Sequence, residues 1–261
     1  MPIGSITRGT TGTNRLRRID RWITGLPELR RAADPLVVDL GFGASATTTL
    51  ELHQRLARLR PSVQVVGLEI DPARVALAAL SARTGVRFAL GGFEVPLPGG
   101  RSATIIRTLN VLRQYHEAEV LAAWRLMVSR LSPGGVLVEG TCNELGRVAS
   151  WVDVTAAGPL SLTVSLRLAD LERPSIVAER LPKVLIHRNV PGEGVHAFLR
   201  DLDRHWQLNA ALSVYGPSQR WIATAQGLAN EGWPVRGGRS RWKLGELTVN
   251  WAAVAPRDFE W

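Results

Sequence analysis

Leu36-Val37-Val38-Asp39-Leu40-Gly41-Phe42-Gly43-Ala44-Ser45 is the stretch on which the reading of the fold turns. An apolar run ends in an acid and then breaks into two glycines spaced by one residue. A chain that leaves a buried strand, turns and opens a helix must bring its backbone against any ligand in the turn. A Cβ there would collide, and Gly41 and Gly43 remove it. A second apolar run, Val65-Val66-Gly67-Leu68, ends in Glu69. An acid at the tip of the second strand is placed to take the hydroxyls of a ribose in doubly wound folds. Asp39 is acceptor-only when ionised and suits an ammonium or an ordered water. Gly-Phe-Gly alone fits any tight turn; with Asp39 and Glu69 beside it, the stretch reads as a site for a nucleotide-type ligand. Asp71 competes with Glu69 for that role, but its place before Pro72 makes it a helix cap.

Outward from this stretch the chain alternates strand and helix. Residues 1–14 lack periodicity and are expected to form an extended arm. Leu16, Ile19, Trp22, Ile23 and Leu26 recur at helical spacing until Pro27 interrupts them, which predicts one helix and a short turn. The first strand is expected at 36–41, a helix at 45–60, a strand at 63–70, then an alanine-rich helix from Asp71-Pro72 to Gly85. Strands follow at 86–90, 103–107 and 136–139, with a helix through Val120, Trp124, Met127 and Leu131 that stops at Pro133-Gly134-Gly135. Such alternation with short turns is the pattern of a parallel sheet covered on both faces.

The second half changes rhythm. Leu160, Leu162, Val164, Leu166 and Leu168 alternate with polar residues, which predicts an antiparallel or edge strand. Val195, Phe198, Leu199, Leu202 and Trp206 define one amphipathic helix, Trp221, Ile222 and Leu228 another, and Leu247, Val249 and Trp251 a last strand. With no internal repeat and no low-complexity linker, residues 1–34 read as an arm and helix. Residues 35–261 read as one domain in which 150–242 form a substrate-side insertion.

Composition narrows the function classes. The chain has 261 residues, 45% of them hydrophobic, and a formal net charge of +9. No apolar run approaches the roughly 18 residues that span a bilayer. The Gly/Thr/Ser-rich N-terminus does not fit a secretory signal, so a cytoplasmic protein away from membranes is expected. Cys142 is the single cysteine, which excludes an internal disulfide and thiolate zinc clusters. Lys183 and Lys243 are the only lysines; nearly all the positive charge is arginine. Arginines cluster with tryptophans at 15–22 and 233–243, an arrangement that suits stacking on RNA bases and equally suits tryptophan packing beneath arginine stems.

Four motifs in order resemble the class I S-adenosylmethionine-dependent methyltransferases over residues 35–142. Asp39-Leu-Gly41-Phe-Gly43-Ala-Ser45 is similar to their acid-x-Gly-x-Gly-x-Gly motif, and Val66 to Asp71 to their ribose-binding strand. Asn110-Val111-Leu112 resembles the segment after their fourth strand, and Leu131-Ser-Pro-Gly-Gly135 the turn before their fifth. The resemblance implies an α/β, doubly wound, mostly parallel seven-stranded Rossmann-like sheet with an antiparallel last strand, here with helical insertions in the C-terminal half. It implies S-adenosylmethionine as cofactor, with Asp39 facing the methionine amino group and the backbone of Gly41, Phe42, Gly43 and Ser45 against the methionine and ribose. Glu69 would hold the ribose, Ile70 would lie on adenine, the Gly92-Phe93 turn would meet its edge, and Asn110 would face the substrate. Two departures stand out: Ser45 replaces the usual third glycine, and Gly92 replaces an acid, leaving the adenine amino group to a backbone carbonyl or to Glu94.

The implied reaction is an in-line displacement at a sulfonium methyl, whose needs are alignment, a dry site and, for a protonated nucleophile, a general base. Arg107, Asn110, Arg113, Tyr115 and His116 fall near the fourth strand's end; His116 is the candidate base and Tyr115 shapes the pocket, with a surface position as the alternative for His116. Asn143, past the fifth strand, is a similar candidate. His53, His187, His196 and His205 are not at metal-ligand spacing, and no metal is implied. The methyl acceptor is left between a small molecule and RNA. Two rival readings stay open: an NAD(P)-dependent oxidoreductase, since Gly41-Phe-Gly43-Ala-Ser-Ala46 also fits the dinucleotide pattern, and a non-catalytic module that binds the cofactor.

Overall fold

Strand and helix alternate along the first half of the chain much as the apolar periodicity dictates. The computed structural model describes residues 1–261, and residues 1–12 contain no helix or strand. Then come α1 (Arg17–Gly25), α2 (Pro27–Arg31), β1 (Leu36–Leu40), α3 (Thr47–Ala57), β2 (Gln64–Glu69), α4 (Pro72–Ala79), β3 (Val86–Leu90), β4 (Ala103–Leu109), α5 (Val120–Val128) and β5 (Leu131–Cys142). The remainder is β6 (Val148–Thr155), β7 (Gly158–Leu166), α6 (Lys183–Ile186), α7 (Gly194–Leu208), α8 (Pro217–Asn230), β8 (Val235–Arg236), α9 (Arg239–Trp242) and β9 (Glu246–Asn250). Short 3₁₀ turns join several of these.

The strands hydrogen-bond in the order β3-β2-β1-β4-β5-β6-β7-β9-β8, nine rather than the expected seven. The two unforeseen strands carry weak signals. β6 is buried along nearly its whole length, including Ser150 and Asp153, so it lacks a wet face and shows no alternation. β8 is only two residues long. Pro27 does not merely end α1; it occupies the first turn of α2, where its missing N–H is no loss. β5 begins at Leu131, so the Pro133-Gly134-Gly135 segment lies within the strand instead of preceding it.

Contacts divide the chain into two units, one of residues 1–139, 144–146 and 154–158, the other of 140–143, 147–153 and 159–261. In the first unit β1 pairs in parallel with β2 and with β4, and β2 pairs in parallel with β3. The chain therefore builds to one side of β1 and then crosses to its other side. The connections leaving β1 and β4 diverge, and ligands of open α/β sheets bind in the crevice outside such a switch point.

Beneath the sheet ends lies a buried ionic cluster. Arg107 of β4 is fully buried, and its Nε donates to Asp39 Oδ1 at 3.0 Å while Nη2 lies 2.7 Å from Asp39 Oδ2. Its Nη1 donates to Asp20 of α1, which is also paired with Arg55 of α3. Burial disfavours the Arg107 charge, but the carboxylates of Asp39 and Asp20 more than offset this, so its pKa is raised and it stays a cation. The cluster fixes α1 and α3 to β1 and β4.

In the second unit, β9 runs antiparallel to both β7 and β8, as expected for the alternating 160–168 segment and the last strand. Trp151, Trp206, Trp221, Trp242 and Trp251 are buried there. Trp206 and Trp221 meet edge to face at 6.2 Å, and the Arg220 guanidinium stacks 3.8 Å above the Trp206 ring.

Candidate functional site

The ends of β1, β2 and β3 gather most of the residues that the sequence singled out. Gly41 and Gly43 both have positive φ, 73° and 84°. A Cβ on Gly41 would lie 2.4 Å from Val111 Cγ2, so the glycine lets the β1 turn pack against the segment after β4. The Gly43 N–H donates to Glu69 Oε2 at 2.9 Å, and Glu69 Oε1 accepts from Ile70 N at 3.0 Å. Glu69 is thus the clamp that holds the glycine turn to the β2 tip, and it lines the groove with further acceptor capacity. Asp71 accepts from Ala73 N and Arg74 N and caps α4.

Several candidates make contacts within the chain. Both oxygens of Asp39 are taken: Arg107 contacts each of them, and Thr49 Oγ1 donates to Oδ2 at 2.7 Å. Phe42 turns away from the groove into the core, edge to face with Phe88 at 5.2 Å and beside Ala46 and Ala78. Gly67 makes room for it, since a Cβ there would fall 2.7 Å from Phe88 and 3.1 Å from Phe42. Ser45 Oγ accepts from Thr47 N at 3.2 Å and supports the start of α3. Arg107, read from sequence as near a strand tip, is instead buried in the ionic cluster.

The β3 turn, Gly91 to Pro96, presents a donor and an acceptor side by side. Gly92 N donates to Glu94 Oε1 at 2.9 Å, which fixes the carboxylate beside the Phe93 N–H. Val95, fully buried, has φ of 45°. That conformation is costly for a β-branched residue, and more so before a proline. Such strain persists only where surrounding contacts over-determine it; here Arg130 Nε donates to the Val95 carbonyl at 3.1 Å.

At the end of β4, Asn110 adopts φ of 63°. Asparagine tolerates this left-handed region better than most residues. Tyr115 lines the groove with its ring tilted against Phe93 at 5.1 Å. Burial raises its phenol pKa, against the pull of hydrogen bonds with Ser5, so at neutral pH it is a donor and not a base. His116 is exposed, outside the groove lining, and its backbone N–H donates to Glu119 Oε2 at 2.9 Å. Asn143 belongs to the second unit, where it lines a cavity of about 530 Å³ with Arg147, Arg167 and Arg173.

One contributor was invisible in the sequence. The N-terminal arm lies in the groove, through its main chain. The Phe93 N–H donates to Ile3 O at 2.9 Å, and Ile3 N donates to Glu94 Oε2 at 2.7 Å. Tyr115 Oη accepts from Ser5 N at 2.5 Å, Arg74 Nη2 donates to Thr7 O, and Ala44 N donates to Gly9 O, each of the last two at 2.9 Å. Between arm and floor about 20 Å³ remains, room for roughly one water.

No protein-family model matches this chain, and no curated protein matches it. Among solved structures it is similar to the CcbJ methyltransferase of Streptomyces caelestis, with 20% identity over 59% of this chain and 66% of that one, at a TM-score of 0.38. It is also similar to S-adenosylmethionine-bound CalS10, an amino pentose methyltransferase of Micromonospora echinaspora. There the identity is 24% over 60% of this chain and 70% of that one, at a TM-score of 0.36. A third is a TehB-like S-adenosylmethionine-dependent methyltransferase of Corynebacterium glutamicum, 18% identical over 51% and 64% of the two chains, with a TM-score of 0.35. The chain thus spans about two thirds of the length of these proteins.

Proposed function

We propose that the first unit binds S-adenosylmethionine and that the protein is a methyltransferase acting on a small molecule. The observation that carries this reading is the crevice at the β1/β4 switch point, where a glycine turn clamped by Glu69 faces a donor–acceptor pair on the β3 turn. The residues fit the cofactor's parts. Gly41 and Gly43 form a cradle that a Cβ would fill, Glu69 offers carboxylate oxygens for ribose hydroxyls, and Ile70 offers an apolar ledge. The Phe93 N–H and the Glu94 carboxylate match adenine's Watson–Crick edge, which sets a ring-nitrogen acceptor beside an amino donor. When bound, the cofactor supplies an electrophilic methyl on a sulfonium. The chain's own tasks are to align and to exclude water, with Asn110 and Tyr115 on the acceptor side.

A small-molecule acceptor is favoured over RNA by what the arginines and tryptophans do. Arg15 and Arg18 are buried, Arg55, Arg60, Arg74 and Arg107 bond within the chain, and Trp206, Trp221 and Trp242 are buried. Basic side chains and rings committed to internal contacts are not a stacking platform with phosphate-binding rims. The test is transfer of radiolabelled methyl from S-adenosylmethionine into a cell lysate divided into small-molecule, RNA and protein pools. Label in the small-molecule pool supports the reading; label confined to RNA, with binding that weakens steeply as salt rises, overturns the choice of acceptor.

A further inference from the structure

We propose that residues 3–9 of the arm are an intrachain occupant of the cofactor groove, a strap that must leave before the cofactor enters. The inference rests on the cofactor reading above, and its force comes from which groups the arm engages. It bonds the functional edge of the groove itself: the Phe93 N–H, the Glu94 carboxylate, Tyr115 Oη and the Ala44 N–H of the glycine turn. The peptide edge of Ile3 sets a carbonyl acceptor beside an N–H donor, the same order that adenine's edge presents to the same two partners. A peptide group can stand in for a base in this way because both present one acceptor and one donor to partners already fixed in place.

Contact with the floor is too close for a cover lying over a bound molecule. A Cβ on Gly92 would fall 2.1 Å from Ile3 O, and one on Gly43 would fall 2.6 Å from Gly9 O. The free volume of about 20 Å³ compares with the roughly 300–1,000 Å³ of small-molecule sites. The arm itself is suited to coming away. Its residues are mostly exposed, it contributes no helix or strand, and it is held by a few hydrogen bonds at separate points, two at Ile3 and two at Ser5 among them. Gly4 and Gly9 give it shape, with φ of 134° and 68°; a Cβ on Gly4 would lie 2.9 Å from Tyr115 Oη and one on Gly9 2.5 Å from Arg74 Nη1. A closed strap lowers apparent affinity by the fraction of molecules that are open.

The experiment compares the full chain with the variant Gly4→Val/Gly9→Val, which strains the arm and drives it from its seat without altering the groove. Isothermal titration with S-adenosylhomocysteine is expected to show at least about ten-fold tighter binding to the variant. Hydrogen exchange on the unaltered chain gives a second readout that needs no variant. Without ligand the Ile3, Ser5 and Arg8 amides, which donate to Glu94, Tyr115 and Gln114, are protected, and on adding S-adenosylhomocysteine they lose protection while Phe93 keeps it. Equal or weaker binding by the variant, or arm amides that keep or gain protection with ligand, overturns the strap and leaves the cofactor reading standing. Failure of both proteins to bind S-adenosylhomocysteine overturns the cofactor reading and the strap with it.

Discussion

The Gly43 N–H donates to Glu69 Oε2 at 2.9 Å, joining the turn after β1 to the tip of β2 through one buried carboxylate. The bond keeps the glycine turn in one shape, and the same carboxylate is the acceptor offered to a ribose. Glu69→Gln keeps the size and loses the charge and one acceptor. Charge-assisted hydrogen bonds of this kind contribute about 1.5–3 kcal/mol. S-adenosylhomocysteine binding, measured by calorimetry, is therefore expected to weaken about ten- to a hundred-fold. Unchanged affinity would show that Glu69 only shapes the turn.

Glu94 supplies a test of which ligand edge the β3 turn reads. Replacing adenine by hypoxanthine exchanges the amino donor for a carbonyl, which would face the carboxylate. The unaltered protein is expected to bind S-inosylhomocysteine at least about ten-fold more weakly than S-adenosylhomocysteine, because a site that leaves buried polar groups unpaired discriminates strongly. Glu94→Gln, whose amide can also donate, is expected to narrow that gap. Equal binding of the two ligands by the unaltered protein would remove Glu94 from recognition.

Arg107 and Asp39 form a buried pair, and loss of the arginine leaves the Asp39 carboxylate without a counterion. Arg107→Met leaves Asp39 to that penalty, while Asp20 keeps Arg55, and breaking a buried pair in this way typically costs about 3–5 kcal/mol. A large fall in the unfolding midpoint is expected, with partial recovery in Arg107→Met/Asp39→Asn. A midpoint within a degree or two of the parent would contradict the role assigned to the cluster.

Glu139 of β5 is fully buried, and burial pushes its carboxyl up to about 8. The unfolded chain releases that proton near the ordinary glutamate value, so the folded state binds it more tightly between about pH 4.5 and pH 8. Stability from this group is therefore full below about pH 4.5 and is lost as pH rises towards 8, on the order of a few kcal/mol. Glu139→Gln does not titrate. In chemical unfolding at pH 5, 6.5 and 8, the variant is expected to gain on the parent as pH rises; parallel pH profiles would contradict the assignment.

How much of this was legible in the sequence follows from how local each interaction is. The glycine turn's backbone, the Asp71-Pro72 cap and the apolar runs of β1 and β2 are encoded within a few residues and stand in the structure as read, while the last strand ends at Asn250 and leaves Trp251 outside it. The seat of the Phe42 ring was not legible, because nothing near it in the sequence reveals that the absent Cβ of Gly67 opens a place for that ring in the core. Asp39 has its partner on another strand, Arg107, and pairing across that separation leaves no periodic trace. The arm was the least legible of all: it works through its main chain, and a peptide edge has no side-chain signature. β6 was hidden because Val148 to Thr155 does not alternate apolar with polar residues.

The most direct measurement is calorimetric titration of the full chain with S-adenosylhomocysteine and, separately, with NAD. Saturable one-to-one binding of S-adenosylhomocysteine that weakens in Glu69→Gln, with no heat from NAD, is the expected result. Binding of NAD alone would contradict the assignment of the crevice at the β1/β4 switch point.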